Sequence, residues 1–503
     1  MIKKFQSSDK YTKYSAIVIV LFSIIVLALT SVYHVSGDGC WHVSASKFMA
    51  ENKSMPLNEP LGRNEPFWSP PLYHIISAVV YFIFNSFNHN AANFAIKFIS
   101  PVFGILSLTV SFLLVKKLHS PKIAFYSAIF LSFVPIFIDY SVLSYVESML
   151  TFFVVLSVYL MVKDRIWLSG IAAGLASLTK YNGLFVLPVL FFILYKRHGI
   201  RKRLFFDSFF LVIPVLIIAG PWLVRNWLAL GNPIWPFLNV LFNGYHIETY
   251  AGLTEAIKWG NLFSLNALTS FYLGIFGVPD GNYNSFAFVN IPFVQFAVAI
   301  WLIATVIFIL PLIMGLFSLR KIKSESNGML VVWVVSYIAL MVIYIINASS
   351  STSRLILPAF PAMALFWSFG LIKLTEYKSV RLFLPKILAL IIIGFVFTLF
   401  FKFILAAKSW NVYQNDFEWV KGNTPQDSVF IANGQCVPYN IERTSLYAQN
   451  GNFEKADYAW VNQKFVLDRK SIYDDKTLNS ITRNSNIIYS NPKTGTMIYE
   501  IKH

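Results

Sequence analysis

Two carboxylates and three cations stand in this chain against largely apolar surroundings. They are Asp38 in "GDGCWH", Glu147 in "SYVESML", Lys180 in "SLTKYNGLF", Arg225 in "PWLVRNW" and Arg354 in "TSRLILP". A carboxylate inside an apolar run is costly and is a functional candidate by default. Arg grips phosphate through a planar fork. An acid that accepts a proton, beside cations that balance a departing phosphate, suits group transfer from a phosphate-linked donor to a hydroxyl or amine. Tyr181 adjoins Lys180 and Asn226 adjoins Arg225, so both read as substrate-side neighbours. His42 follows Asp38 by one helical turn and is a candidate ligand if a helix starts there. Each residue also has a plainer reading. Asp38 could cap a helix, Lys180 and Arg354 could snorkel to headgroups, and Glu147 could pair with a buried cation. Trp222, Trp227 and Trp235 read as interfacial belt residues. The chemical reading is favoured because the charged residues all fall on one side of the membrane in the topology below.

That topology follows from composition. The 503 residues are 56% hydrophobic and only 13% charged, with a mean hydropathy of +0.60. This is the composition of a polytopic membrane protein. The net charge of +17 sits in short clusters between apolar runs, the positive-inside pattern, so no nucleic-acid partner is implied. Lys3, Lys4, Lys10 and Lys13 place the N-terminus in the cytoplasm. The first apolar run is too long for a cleaved signal peptide and reads as a span. Eleven spans are expected, over 15–33, 93–115, 121–138, 141–162, 166–179, 182–196, 204–223, 292–317, 329–346, 354–374 and 382–406. The run 72–87 is expected to be re-entrant or interfacial, because a further crossing would put the Lys116 cluster outside.

The loops 34–71 and 224–291 and the tail then face outward. The chain divides into a membrane domain, 1–406, and a small extracytoplasmic α/β domain, 407–503. In the tail, "DFEWVKGNTPQDSVF" predicts a helix, a turn and a strand, and "NIIYSNPKTGTMIYEI" predicts a hairpin. Cys40 and Cys436 are too few for a disulfide framework, but both lie on the outer side, where a bond between them is possible.

The order of motifs resembles the GT-C glycosyltransferases, specifically the protein O-mannosyltransferase and aminoarabinose-transferase-like group. Asp38 heads the first exterior loop, and "SPPLYH" closes it. Glu147 precedes "GIAAGLASLTKYNG", "PWLVRNWLALGNP" precedes the second exterior loop, and "RLILPAFP" follows later. The resemblance covers residues 15–375. It implies a multi-helix GT-C membrane fold and a polyprenyl- or dolichyl-phosphate sugar donor. It also implies inverting transfer on the extracytoplasmic face, to a protein, lipid or glycan acceptor. It carries over Asp38 as the general base, Glu147 as the second acid, and Lys180, Arg225 and Arg354 as lipid-phosphate contacts. Two positions depart from the pattern. Gly39 follows Asp38 where the family often has a second acid. Trp68 and Ser69 stand where transferase-like members often carry Glu-Lys, with Glu65 as a shifted candidate. A divalent metal between Asp38 and Glu147 is therefore left open, and no other cofactor is implied.

The competing class is a transporter or flippase of a lipid-linked or anionic substrate. That class more often shows two similar halves or broken helices near the midplane, and no internal repeat is visible here. The expected location is the plasma membrane, or the endoplasmic reticulum in a eukaryote.

Overall fold

A computed structural model describes residues 9–59, 66–245, 259–264, 274–275, 309–317, 325–348, 353–432, 434–448, 452–462, 473, 475–483 and 485–502. The predicted span 292–317 and the exterior loop 224–291 lie largely outside these residues, and Glu65 lies wholly outside them.

The chain begins with α1 (Lys10–Val32), capped by the Asp9 carboxylate, which accepts from the Tyr11 N–H. Helix α2 (Asp38–Asn52) follows, then α3 (Leu72–Asn85) and α4 (His89–Leu118). Next come α5 (Pro121–Phe133), α6 (Pro135–Val142), α7 (Glu147–Val162), α8 (Ile166–Thr179) and α9 (Leu187–His198). The bundle is completed by α10 (Lys202–Leu230), α11 (Glu325–Ala348), α12 (Phe360–Leu374) and α13 (Lys378–Asn411). Among the described residues six helical segments are long and apolar enough to cross a membrane, or seven if the bent pair α5–α6 is one span. The shorter apolar helices α3, α7 and α8 complete the packing. Gly170 shows how closely they pack: a Cβ there would run into the backbone carbonyl of Leu211 on α10. Small residues let membrane helices approach at backbone distance.

One departure from the sequence reading shapes the site. The runs 121–138 and 141–162 are not two continuous helices. Val134 is extended ahead of Pro135, a residue that disfavours the helical state before it and cannot donate to the preceding turn. The short α6 turns away from α5 by 63°, and residues 143–146 are non-helical. Glu147 is therefore the first residue of α7 rather than two turns inside a span. A carboxylate in a first helical turn is favoured by the helix dipole.

The tail folds as expected from its pattern. α14 (Gln414–Asn423) leads to β1 (Val429–Ile431), α15 (Cys436–Ile441), β2 (Thr444–Leu446) and β3 (Tyr458–Asn462), and α16 (Asp475–Arg483) precedes the hairpin β4 (Ser485–Asn491) and β5 (Thr496–Ile501). The sheet order is β2-β1-β3-β5-β4. The β1 pairings with β2 and β3 are parallel, and those of β5 with β3 and β4 are antiparallel. Among the described residues, the following contacts join this domain, and the end of α13 that leads into it, to the rest of the bundle. Cys436 at the start of α15 is disulfide-bonded to Cys40 on α2. The Glu442 carboxylate lies 3.5 Å from Lys47 of α2, 3.4 Å from His89 of α4 and 3.7 Å from Lys421 of α14. The His34 ring stacks on Trp410 at 5.0 Å.

Candidate active site

The start of α2 is unusual. Gly37 occupies the capping position and makes no side-chain cap, and Asp38 is the first helical residue. The Asp38 carboxylate is therefore not spent on capping its own helix. Instead, Arg354 Nη1 donates to Asp38 Oδ2 at 2.6 Å. Arg354 lies in the 3-10 turn Ser353–Ala359 that leads into α12. The same guanidinium reaches toward Glu147, with Nε 3.8 Å from Oε1. Lys180 caps the C-terminal end of α8, and its Nζ donates to Glu147 Oε1 at 2.7 Å. Four of the residues singled out by sequence thus form one chain of charge: Asp38, Arg354, Glu147, Lys180. They come from four separate elements.

Exposure separates the two acids. The Asp38 side chain is 43% exposed and can meet a substrate. The Glu147 side chain is 2% exposed and pairs with Lys180 and Arg354. Among the described residues, no group donates a hydrogen bond to the buried Glu147 Oε2. Partial burial pushes the Asp38 carboxyl up, but the charge and hydrogen bond of Arg354 outweigh it and hold the group at about 2. Asp38 is therefore ionised at any physiological pH.

His42 is brought near this cluster but not into it. Its Nδ1 lies 2.9 Å from His74 Nε2, and the pair is wrapped by Trp41, Phe67 and Tyr73. Burial depresses His42 to about 3; Asp38 opposes that shift while Lys180 and Arg354 add to it. His42 is thus a neutral core histidine. Tyr181, Arg225 and Asn226 form a second cluster. The Tyr181 hydroxyl accepts from Trp222 Nε1 at 3.0 Å and Asn226 Nδ2 at 2.7 Å, and donates to the Trp68 carbonyl at 3.3 Å. Arg225 donates to the carbonyls of Phe67 at 2.8 Å and Pro56 at 3.3 Å, and to Asn226 Oδ1 at 2.8 Å. This cluster ties the segment between α2 and α3 to α10, which continues past the expected end at 223 to Leu230.

A shared divalent ion does not fit the two acids, because Arg354 lies between them. Among the described residues no group of three or more His, Cys, Asp or Glu side chains is placed to hold a metal.

Sequence reasoning missed two features. Tyr145 contacts the site from the break before α7: its hydroxyl accepts the Asp38 N–H at 3.0 Å. No spacing signals this. The second is an ion pair between Asp139, buried on α6, and Lys402, partly exposed on α13, at 2.8 Å. An acid in "PIFIDYS" and a lysine in "LFFKFIL" were visible by the same rule that singled out Glu147.

Residues 69–224 match the family model described as dolichyl-phosphate-mannose-protein mannosyltransferase. No curated protein matches the chain. Among solved structures, ArnT from Cupriavidus metallidurans bound to undecaprenyl phosphate superposes with a TM-score of 0.64 at 12% identity, over 97% of this chain and 98% of ArnT. The archaeal oligosaccharyltransferase AglB from Archaeoglobus fulgidus, in complex with an inhibitory peptide and a dolichol-phosphate, gives 0.59 at 14% identity, over 98% and 75%. The arabinofuranosyltransferase AftD from Mycobacteria gives 0.54 at 11% identity, over 96% and 40%. The fold is that of the GT-C glycosyltransferases. The family-model match covers residues 69–224, about a third of the chain, in a bundle with at least six membrane-length apolar segments among the described residues.

Proposed function

We propose that this glycosyltransferase moves a sugar from a polyprenyl- or dolichyl-phosphate donor to an acceptor hydroxyl or amine, with inversion, and that Asp38 is the general base. The observation that carries the reading is the Asp38–Arg354–Glu147–Lys180 chain, with its one exposed acid at the end. A phosphate leaving group needs its charge balanced and no acid catalyst. Arg354 and Lys180 supply that balance, and Glu147 keeps both cations in place. Arg354 also has a second effect. In the free enzyme it makes Asp38 a weak base by stabilising the carboxylate. A donor phosphate that draws on the same guanidinium loosens its hold, so Asp38 gains basicity when the donor is in place. The acceptor proton then passes to Asp38 as the new glycosidic bond forms and the lipid phosphate departs. Arg225 does not join this chain; its role is to hold the first exterior loop over the site.

The disulfide supports an extracytoplasmic orientation of this face, because such bonds persist in oxidising compartments. On that reading the N-terminus is cytoplasmic and the tail domain extracytoplasmic. Undecaprenyl phosphate in the ArnT structure and dolichol-phosphate in the AglB structure are ligands of those proteins. They support a lipid-phosphate donor here without identifying the sugar. The inhibitory peptide in the AglB structure supports a protein acceptor only as one of three classes, beside lipid and glycan.

The test is transfer of label from a panel of radiolabelled polyprenyl-phosphate sugars in membranes that contain the full chain. Wild type transfers label, and a folded Asp38→Asn variant loses at least about a thousandfold. Equal transfer by both would remove Asp38 as the base. Failure of the whole panel, with transport of a lipid-linked or anionic substrate in its place, would favour the transporter class.

A further inference from the structure

We propose that Tyr145 is a positioning residue that sets the geometry of Asp38 against Arg354 and Glu147. The proposal rests on the transferase reading above. The first N–H groups of a helix have no partner within it. For α2, one of them is satisfied from a distant part of the chain, since the Tyr145 hydroxyl accepts the Asp38 N–H at 3.0 Å. This capping from outside the helix leaves the Asp38 carboxylate free for Arg354.

Tyr145 reaches the other members as well. The Arg354 guanidinium carbon lies 5.6 Å from its ring centroid, within the range of cation–π attraction. Glu147 is two residues further along, at the start of α7. The segment between α6 and α7 is itself pinned: the Tyr145 N–H donates to the Leu143 carbonyl at 2.7 Å, and Ser100 Oγ donates to the Tyr145 carbonyl at 3.1 Å. One side chain thus touches the backbone of one acid and the cation between the acids, and shares a short pinned segment with the other acid. Gly37 permits this approach. It has φ +57°, and a Cβ there would run into the Tyr145 hydroxyl.

The test compares the full-length wild type with Tyr145→Phe and Gly37→Ala. Tyr145→Phe removes only the hydroxyl. It is expected to lower kcat about 10–100-fold, since a misplaced catalytic group costs that much, and to leave KM for the lipid-phosphate donor within about twofold. Gly37→Ala pushes the hydroxyl off Asp38 and is expected to reproduce the same split. A kcat within about twofold of wild type, or a donor KM that rises in step with the loss of kcat, would overturn the proposal.

A second readout does not depend on activity. Cys40 and Cys436 are the chain's two cysteines and are bonded to each other, so Asp38→Cys introduces a single reactive thiol. Its alkylation should be at least about fivefold faster when Tyr145→Phe is added, because the start of α2 is no longer held. Equal rates would overturn the role of Tyr145. If wild type transfers no sugar from any donor, the transferase reading falls, and the alkylation rates still decide whether Tyr145 holds α2.

Discussion

At the residue scale, the pairing of Asp38 with Arg354 makes a prediction about pH. The folded-state value of Asp38 lies at about 2, below its ordinary 3.8. The ion pair's contribution to stability is therefore present above the ordinary value and lost as pH falls through about 2. Arg354→Gln removes the largest charge that opposes burial and leaves His42 and Lys180 to oppose it. The acid limb of the pH–rate profile should move to higher pH, and transfer at neutral pH should fall at least about a hundredfold. A profile unmoved by Arg354→Gln would separate this ion pair from the base. The residue scale is also where sequence was most informative. Asp38, Glu147, Lys180 and Arg354 were legible because charge in apolar sequence needs a reason. His42 was not, because its partner is His74, a residue 32 positions away that no local pattern connects to it.

At the element scale, α6 and α13 are joined by Asp139 and Lys402. Asp139 is nearly buried, and breaking such a pair from one side leaves an uncompensated charge. Lys402→Met is expected to destabilise the protein by about 1–3 kcal/mol, the cost of leaving a buried acceptor unsatisfied. Asp139→Asn combined with Lys402→Met should restore much of that loss, because the orphaned carboxylate is gone. Thermal unfolding in detergent measures both, and additive losses would argue against the pair. The break at Pro135 belongs to the same scale. The proline was visible in sequence, but hydropathy alone ran across it and merged the short α6 into neighbouring spans. The tail was easier to read, because strand alternation and the Pro/Gly turn between β4 and β5 act over a few residues.

At the scale of the whole molecule, the tail domain is fixed to the helix that begins with the proposed base. The disulfide joins residues 396 positions apart, and closing so long a loop restricts the unfolded chain strongly. Cys40→Ser combined with Cys436→Ser should cost about 2–5 kcal/mol and expose the tail to limited proteolysis. Transfer should fall as well, because Cys40 lies two residues from Asp38 on α2. A proteolytic pattern identical to wild type would show that the Glu442 contacts and the His34–Trp410 stack suffice. A non-reducing digest should yield a Cys40–Cys436 cross-linked peptide, and free thiols at both positions would remove the clamp.

The sequence by itself determined that this chain is a membrane protein, which segments are apolar, that its tail carries helix and strand patterns, and which charged residues needed a reason. These follow from transfer free energies and short-range periodicity, which each segment carries alone. Only the tertiary structure decided which of those residues meet. Asp38, Glu147, Lys180 and Arg354 lie on four elements spread over more than 300 residues, and their convergence depends on helix packing. Tertiary packing also set the partners of Arg225, Tyr181 and Asn226 and paired His42 with His74, because hydrogen-bond satisfaction in a buried site is set by all neighbours at once.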